Sequence, residues 1–307
     1  MLGIITIAQG EKRYIDMAKM LALSLIQVNP GVQRAVVSDA DEDEFRGLYD
    51  VFIPYDKSFG AGLNQKLHLD KYSPFDETLF VDSDCLAFKS IDTMIELCRK
   101  HSFVVFGDQI STGEWYMDVA EMCKKFSLPS IPLFNGGTYY FKNDAVATGI
   151  FNRARELKDD YLELGFKPFR GSINEEPLIA VAMALNQVEA VDDRGFGMRT
   201  PIGMKGSLNV DVLNERCSFN KDGEIAEPAI MHFAGDFAYY FHYKRECAKL
   251  KALHKFPFIG KKLMSFLVNL GYNLSYGTYV FMKRISKMIL RREKFDFSIS
   301  LPVFPNQ

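Results

Sequence analysis

The chain is poor in the features that mark disulfide-rich or zinc-thiolate proteins. Its 307 residues include five cysteines, an odd number, and no two of them form a C-x-x-C pair: Cys85, Cys98, Cys123, Cys217 and Cys247. This spacing excludes a regular zinc-thiolate site and a paired disulfide framework, so we expect reduced thiols in a cytosolic protein. The first residues also lack a charged segment followed by a long apolar run, and no signal peptide is expected.

Acidic residues are missing from one long segment near the end of the chain. Residues 247–292 contain ten Lys or Arg and no Asp or Glu, whereas the whole chain has a net charge of −2. The remainder is therefore acidic, and the basic segment carries no recognised nucleic-acid-binding motif. We expect no nucleic-acid partner.

The same segment has two interpretations. Residues 263–282 are uncharged and long enough to cross a membrane, but two Asn, two Gly, two Ser and one Thr disfavour insertion. Residues 283–292 place apolar side chains on one helical face and cations on the other, which suits an interfacial helix on an anionic membrane. The alternative is a helical bundle packed on the body with a solvated basic face. We therefore divide the chain into residues 1–250 and a basic helical region at 251–307, and expect peripheral attachment at the cytoplasmic face of the cell membrane.

The hydrophobic pattern before residue 250 alternates between strands and helices. Apolar, β-branched runs predict strands at residues 3–8, 34–39, 50–56, 79–81 and 102–108, and a short strand that runs into a loop at 229–236. Helical patterns lie at residues 15–26, 62–73 and 174–186. This alternation predicts an α/β fold with a mainly parallel, Rossmann-like sheet flanked by helices.

Two carboxylates follow the predicted strand at 79–81. Asp82 and Asp84 are two residues apart and can face the same way, at the sheet edge where α/β proteins bind ligands. Two carboxylates this close repel each other unless a cation is bound between them. Carboxylate oxygens suit Mg²⁺ or Mn²⁺. The alternative is a solvated loop with two capping residues.

Four segments together resemble the GT-A fold nucleotide-sugar glycosyltransferases, in particular family 8, which includes glycogenin-like enzymes and bacterial galactosyltransferases. They are the D-x-D at 82–84, FNGGTYYF at 134–141, NEEPLIAVAMA at 174–184 and MHFAGD at 231–236. The resemblance implies a GT-A catalytic domain at residues 1–250. It also implies that Asp82, Asp84 and His232 bind Mn²⁺ or Mg²⁺, and that the donor-binding segments include Ser83, Asn135, Gly136, Gly137 and Gly235.

One position departs from the family pattern. The family usually has a lysine three residues after the glycine of the His motif, where it pairs with a donor phosphate, and this chain has Ala238. Lys244, Lys66 and Lys205 are candidates for the missing charge.

Further site residues follow from the resemblance. Ala8 and Gln9 end the first strand and Asp39 ends the second, where such enzymes contact uracil and ribose; a solvated turn is the alternative for Asp39. Lys66 precedes the D-x-D strand and is the candidate that reaches the donor. A simple strand-entry turn is the alternative for residues 135–137.

Glu175 and Glu176 are the candidate catalytic residues. Glycosyl transfer passes through an oxocarbenium-like state that a carboxylate stabilises, and a carboxylate can also take a proton from an acceptor hydroxyl. The alternative is favourable pairing with a helix N-terminus. The sequence does not separate the two roles.

The resulting expectation is a metal-dependent glycosyltransferase that moves a hexose from a nucleotide sugar, a UDP-sugar, to a glycan or lipid-linked acceptor in surface polysaccharide synthesis, with retention implied by family 8. A sugar-nucleotide nucleotidyltransferase is the first alternative, but residues 7–14 hold one glycine where those enzymes have a glycine-rich loop. A haloacid-dehalogenase phosphatase needs D-x-D at the first strand, which here ends in Ala8 and Gln9. A non-catalytic binding protein of the same fold is the alternative from another class.

Overall fold

The computed structural model describes residues 1–291. The predicted amphipathic segment at residues 283–292 extends past this range, and its side chains lie outside the described part of the chain.

The strands and helices follow one another in an α/β order. The strands are β1 (Leu2–Ala8), β2 (Gln33–Ser38), β3 (Val51–Pro54), β4 (Glu77–Val81), β5 (Cys85–Ala87), β6 (Phe103–Val104), β7 (Gly107–Ile110), β8 (Ile131–Phe134), β9 (Thr138–Lys142), β10 (Met198–Arg199), β11 (Met204–Asp211), β12 (Arg216–Lys221), β13 (Glu224–Ala226) and β14 (Ile230–His232). The α-helices are α1 (Lys12–Val28), α2 (Leu69–Tyr72), α3 (Asp92–Cys98), α4 (Val119–Phe126), α5 (Ala145–Asp159), α6 (Tyr161–Leu164), α7 (Glu175–Leu185), α8 (Phe241–Lys255) and α9 (Lys261–Arg291). Short 3-10 helices cover Glu42–Phe45, Lys57–Phe59, Gly62–His68, Val212–Asn214 and Gly235–Tyr239.

The main sheet has the strand order β3-β2-β1-β4-β9-β6. Strands β1 to β4 run parallel, and β9 pairs antiparallel with β4 and β6. The mainly parallel sheet predicted from the sequence is therefore confirmed. Because β1, β2 and β4 are parallel neighbours, their carboxyl ends meet at one edge.

Both faces of this sheet are covered, which explains its nearly continuous apolar strands. Side chains alternate across the sheet, so neighbouring residues of one strand belong to opposite layers. Ile5 and Phe80 pack with residues of α5 and α7, whereas Ile4 and Leu79 pack with residues of α1 and α3.

Two predicted elements differ from the structure. The helix predicted at residues 62–73 is a 3-10 helix over its first seven residues, followed by the single turn of α2. There the buried amide of Gln65 donates to the carbonyls of Asp56 and Gly60, which ties this segment to the loop before it. The strand predicted at 102–108 is divided between β6 and β7, because β6 pairs with β9 and β7 pairs with β8.

A small antiparallel sheet between residues 204 and 226 was not predicted. It has the order β11-β12-β13. Its inward-facing residues, among them Leu208, Val210 and Phe219, pack with α8 in a separate hydrophobic cluster. This sheet lies outside the main one and supports α8.

Helix α9 is joined to the body by a buried ionic cluster. Lys249 on α8 is fully buried and lies 3.0 Å from Glu246 Oε1 and 3.3 Å from Asp211 Oδ1. Ser265 on α9 donates its hydroxyl to Asp211, and neighbouring Met264 is buried. No helix within residues 1–291 has both the length and the hydropathy needed to span a bilayer.

We expect Lys249→Met to lower the free energy of unfolding by about 3–5 kcal/mol, because it leaves the carboxylates of Glu246 and Asp211 buried without their shared cation. Urea denaturation measures this change. Lys251→Met, at an exposed position of the same helix, is the matched control and should change stability by less than about 0.5 kcal/mol. Equal effects of the two substitutions would contradict a structural role for the cluster.

Candidate active site

The D-x-D carboxylates and His232 meet at the carboxyl edge of the main sheet. Asp82 and Asp84 follow β4 directly, and β14 pairs antiparallel with β5 so that His232 lies opposite Cys85. His232 Nε2 is 3.1 Å from Asp84 Oδ1 and 3.8 Å from Asp82 Oδ2. Ser83, which separates the two aspartates in the sequence, is buried. The register of β14 thus brings His232 to a pair of carboxylates that lie about 150 residues earlier in the chain.

The other ring nitrogen of His232 is held by Asn135. His232 Nδ1 lies 2.6 Å from Asn135 Oδ1, which also accepts from the Gly137 N–H at 3.2 Å. An amide oxygen only accepts hydrogen bonds, so Nδ1 carries a proton and Nε2 faces the carboxylates. This is the arrangement in which histidine offers Nε2 to a metal ion.

Glycine is required at 137 by a close approach rather than by a turn. A Cβ built there would lie 2.5 Å from His232 Nδ1. At Gly136 a Cβ would lie 2.7 Å from the Tyr139 hydroxyl. The two glycines therefore let the 135–137 turn fit between His232 and the start of α7.

The charges of this cluster favour a hard divalent cation. Burial raises the pKa of Asp82, and Lys66 and His232 only partly offset it. Burial also raises the pKa of Asp84, but the charge and hydrogen bond of His232 and the charge of Lys66 together outweigh it, so its pKa lies below the ordinary value. Burial raises the pKa of the neighbouring Cys85 thiol well above its usual range, so that sulfur stays protonated. Two carboxylates and an imidazole are ligands that fit Mn²⁺ or Mg²⁺. The ligand atoms of Asp84, Cys85 and His232 lie within 4.8 Å of one another.

Lys66 connects the segments that form the site. Its ammonium is 2.8 Å from Asp82 Oδ2, 3.0 Å from Glu175 Oε1 and 3.1 Å from the Gly136 carbonyl. An ammonium has three N–H donors, so all of them are used by protein groups. The two carboxylates outweigh the effect of burial and raise the pKa of Lys66. The Lys66 cation therefore holds the D-x-D, the 135–137 turn and α7 in one arrangement.

The two glutamates of α7 lie in different surroundings. Asn174 caps the helix by accepting the Glu176 N–H, as its sequence predicts. Glu175 is 2% exposed and is held by Lys66 and by the Tyr139 hydroxyl. Glu176 is half-buried and accepts the Gly136 N–H at 2.6 Å. Burial and the charge of Glu175 raise the pKa of Glu176 to about 7.

The residues predicted to contact the nucleoside form a second group along the same edge. Asp39 is exposed and accepts the Gly10 N–H with both oxygens, at 3.0 and 3.2 Å. Gln9 donates to the Gly62 carbonyl at 3.2 Å, and the Ala8 carbonyl accepts the Ser38 hydroxyl. Asp39 and Gln9 thereby fix the loops that follow β1 and β3.

Sequence reasoning missed three residues near this site. Tyr139 lies in the FNGGTYYF segment at 134–141, and its hydroxyl contacts Glu175, a contact that the motif does not indicate. Cys85 directly follows the D-x-D and faces the same cluster. Arg170 lies beside Gly235, and its only sequence signal is the turn-like Arg-Gly pair.

Comparison with solved structures identifies the architecture. An active-site mutant, Q189E, of LgtC superposes with a TM-score of 0.52 at 17% identity, covering 76% of this chain and 88% of that one. The galactosyltransferase LgtC in complex with donor and acceptor sugar analogs gives a TM-score of 0.51 at 16% identity, covering 76% and 87%. The chain has a GT-A fold. The GT-A fold predicted from the four motifs is thereby confirmed. No family model and no curated protein sequence matches the chain.

The pKa of Glu176 gives a prediction about stability in the GT-A domain. The unfolded glutamate ionises near pH 4.5 and the folded one near pH 7, so between these values the folded state binds more protons and stability falls as pH rises. Glu176→Gln lacks this titration. We therefore expect the melting temperature of the variant minus that of wild type to increase as pH rises from 4.5 to 7 and to stay constant above pH 7. Thermal melts in a chelator-containing buffer series measure it.

Glu163→Gln, at an exposed position of α6, is the control and should follow the wild-type profile. A Glu176→Gln profile that runs parallel to wild type throughout would show that Glu176 titrates normally.

Proposed function

We propose that the chain is a metal-dependent glycosyltransferase that moves a hexose from a UDP-sugar to a glycan or lipid-linked acceptor. The observation that carries this proposal is the convergence of His232 with Asp84 and Asp82 at the carboxyl edge of a GT-A sheet, beside the two glutamates of α7. A site that gathers a cation-binding triad and a half-buried carboxylate suits departure of a diphosphate from a sugar.

Asp82, Asp84 and His232 are the residues that would hold a divalent cation, Mn²⁺ or Mg²⁺. When bound, that cation neutralises the charge that develops on the diphosphate leaving group. Asn135 keeps the His232 ring turned toward the carboxylates through its hydrogen bond to Nδ1. The fully engaged Lys66 keeps Asp82 in place and does not extend to the donor.

Glu176 is the carboxylate that acts at the reacting sugar. It is the more exposed of the two, whereas Glu175 is occupied by Lys66 and Tyr139. In its ionised form Glu176 stabilises positive charge at the anomeric carbon, so activity rises as pH increases toward and past about 7. Glu175 has a supporting role, because it fixes the ammonium that positions Asp82.

The nucleoside occupies the second group along the edge, at Ala8, Gln9 and Asp39. The solved LgtC complex holds donor and acceptor sugar analogs on the same fold, which supports a sugar donor and a sugar acceptor here. We assign the acceptor to the glycan or lipid-linked precursors of surface polysaccharides, with retention of configuration.

Helix α9 supports a peripheral membrane location. Its inner face is packed on the body through Met264 and Ser265, and its outer face exposes one apolar stripe: Leu263, Phe266, Leu267, Leu270 and Leu274. These positions follow the three- and four-residue spacing of a single helical face. Lysines at 255, 261 and 262 flank the stripe and add charge that suits an anionic surface. We propose attachment to the cytoplasmic face of the cell membrane through this stripe.

We expect wild-type protein to bind UDP more tightly with Mn²⁺ than without it, and His232→Ala and Asp84→Ala to lose at least about tenfold of that affinity, because each removes a cation ligand. Isothermal titration calorimetry measures the change. His101→Ala, at an exposed histidine outside the site, is the matched control.

Hydrolysis of UDP-hexoses, followed by UDP release, separates an enzyme from a non-catalytic binding protein. Pyrophosphate release from UTP and a sugar phosphate would instead indicate a nucleotidyltransferase. Metal-independent UDP binding that is equal in all variants would contradict the proposed metal site.

We expect full-length protein to float with phosphatidylglycerol vesicles and not with phosphatidylcholine vesicles, because basic residues flank the apolar stripe. The double substitution Phe266→Glu and Leu270→Glu should abolish flotation, since it places negative charge on that stripe. Leu162→Glu, at an exposed leucine of α6, is the control and should float like wild type. Unchanged flotation of the double variant would rule out α9 as the contact surface.

A further inference from the structure

The ammonium of Lys66 in the candidate active site is fully engaged by protein groups. Four carboxylates, those of Asp82, Asp84, Glu175 and Glu176, surround Lys66 and His232. Lys66 uses its three N–H donors on protein acceptors, and His232 faces Asp84. A nucleoside diphosphate brings additional negative charge, which a single divalent cation does not balance. The site needs a further cation that no protein carboxylate neutralises.

Arg170 lies at the tip of a tight hairpin between α6 and α7. Phe169 and Ser172 exchange two backbone hydrogen bonds, at 2.8 and 3.0 Å, which leaves Arg170 and Gly171 as the two central residues. Their φ angles are +51° and +78°. Two central residues with positive φ are typical of a type I′ turn, where Asn, Asp and Gly are strongly preferred. Arginine is a strained choice at this position, and such strain marks functional sites.

The hairpin directs the Arg170 guanidinium to the His232 motif. Arg170 Nη2 lies 4.0 Å from the position that a Cβ would occupy on Gly235, three residues after His232. The guanidinium carbon is 5.0 Å from the centre of the Phe169 ring, and Phe169 packs edge-on against Tyr116. Within residues 1–291 Arg170 forms no ion pair with a carboxylate.

Arg13 is the other arginine near the Gly235–Tyr239 helix, and it is already paired. Its guanidinium carbon lies 5.7 Å from the centre of the Tyr239 ring. Its Nε is 3.2 Å from Glu11 Oε2, and its Nη2 donates to Tyr14 and Glu11. Arg170 thus places beside Gly235 a positive charge that pairs with no carboxylate within residues 1–291.

We propose that Arg170 binds the diphosphate of the nucleotide donor and stabilises it as a leaving group. The assignment rests on the proposed function. It places the phosphate-binding cation on the 169–172 hairpin, at none of the three lysines suggested by the sequence. The guanidinium offers paired N–H donors to phosphate oxygens, a geometry that lysine does not reproduce.

The test uses Arg170→Gly in the full-length chain. Glycine adopts positive φ without strain, so this variant removes the guanidinium while keeping or improving the turn. We expect its melting temperature to equal or exceed that of wild type. With Mn²⁺ present, its affinity for UDP should fall by about 10- to 100-fold, whereas its affinity for uridine, measured by competition, should be unchanged. Arg170→Lys should recover only part of the loss.

The matched control for Arg170→Lys is Arg153→Lys on α5, because glycine at position 153 would disturb that helix. Arg153→Lys should leave the affinity for UDP unchanged. The inference is overturned if Arg170→Gly binds UDP as tightly as wild type does. It is also overturned if the variant loses affinity for UDP and for uridine equally, because that result would assign the hairpin to nucleoside binding. If wild-type protein binds neither UDP nor GDP, the proposed function fails and the inference fails with it. Metal-dependent UDP binding that is insensitive to Arg170 refutes the inference alone.

Discussion

The buried ammonium of Lys66 is the interaction on which the arrangement of the candidate active site depends. It joins Asp82 at the end of β4, the Gly136 carbonyl in the turn before β9 and Glu175 at the start of α7. A buried cation of this kind is stable only when its hydrogen bonds are complete, and removal of one carboxylate leaves a charge that the interior does not solvate. Three separate parts of the chain are therefore constrained together, and each contributes a group to the site.

Glycine and asparagine complete this constraint on the opposite side. Gly137 admits the imidazole of His232 to a distance that any side chain would prevent, and Asn135 determines which ring nitrogen carries the proton. The 135–137 turn is therefore placed between Lys66 on one side and His232 on the other. Its composition reflects close packing of the protein around the site, in addition to any contact with a sugar.

Two parts of the molecule differ in how well their local structure is satisfied: a buried ionic cluster and the hairpin at 169–172. The ionic cluster of Asp211, Glu246 and Lys249 joins the end of β11 to α8, and its buried charges are mutually satisfied. The hairpin at 169–172 instead keeps an arginine in a backbone conformation that suits glycine. Natural proteins retain such positions where function requires the side chain, and their replacement commonly increases stability.

Local patterns were sufficient for several parts of this protein. The apolar run before Asp82 predicts a buried strand, and Asn174 followed by two glutamates predicts a helix start. The strand–helix alternation predicts a mainly parallel sheet. Each of these predictions depends on near neighbours in the sequence. The four motifs together predicted the GT-A fold. Tertiary structure alone decided that Glu175 is engaged by Lys66 while Glu176 remains accessible, and that residues 62–68 form a 3-10 helix. It also decided that Asn135 orients His232, a contact between residues 97 positions apart. These features depend on strand register and on how closely segments that are distant in the sequence approach each other. The spacing of residues within one segment does not encode either.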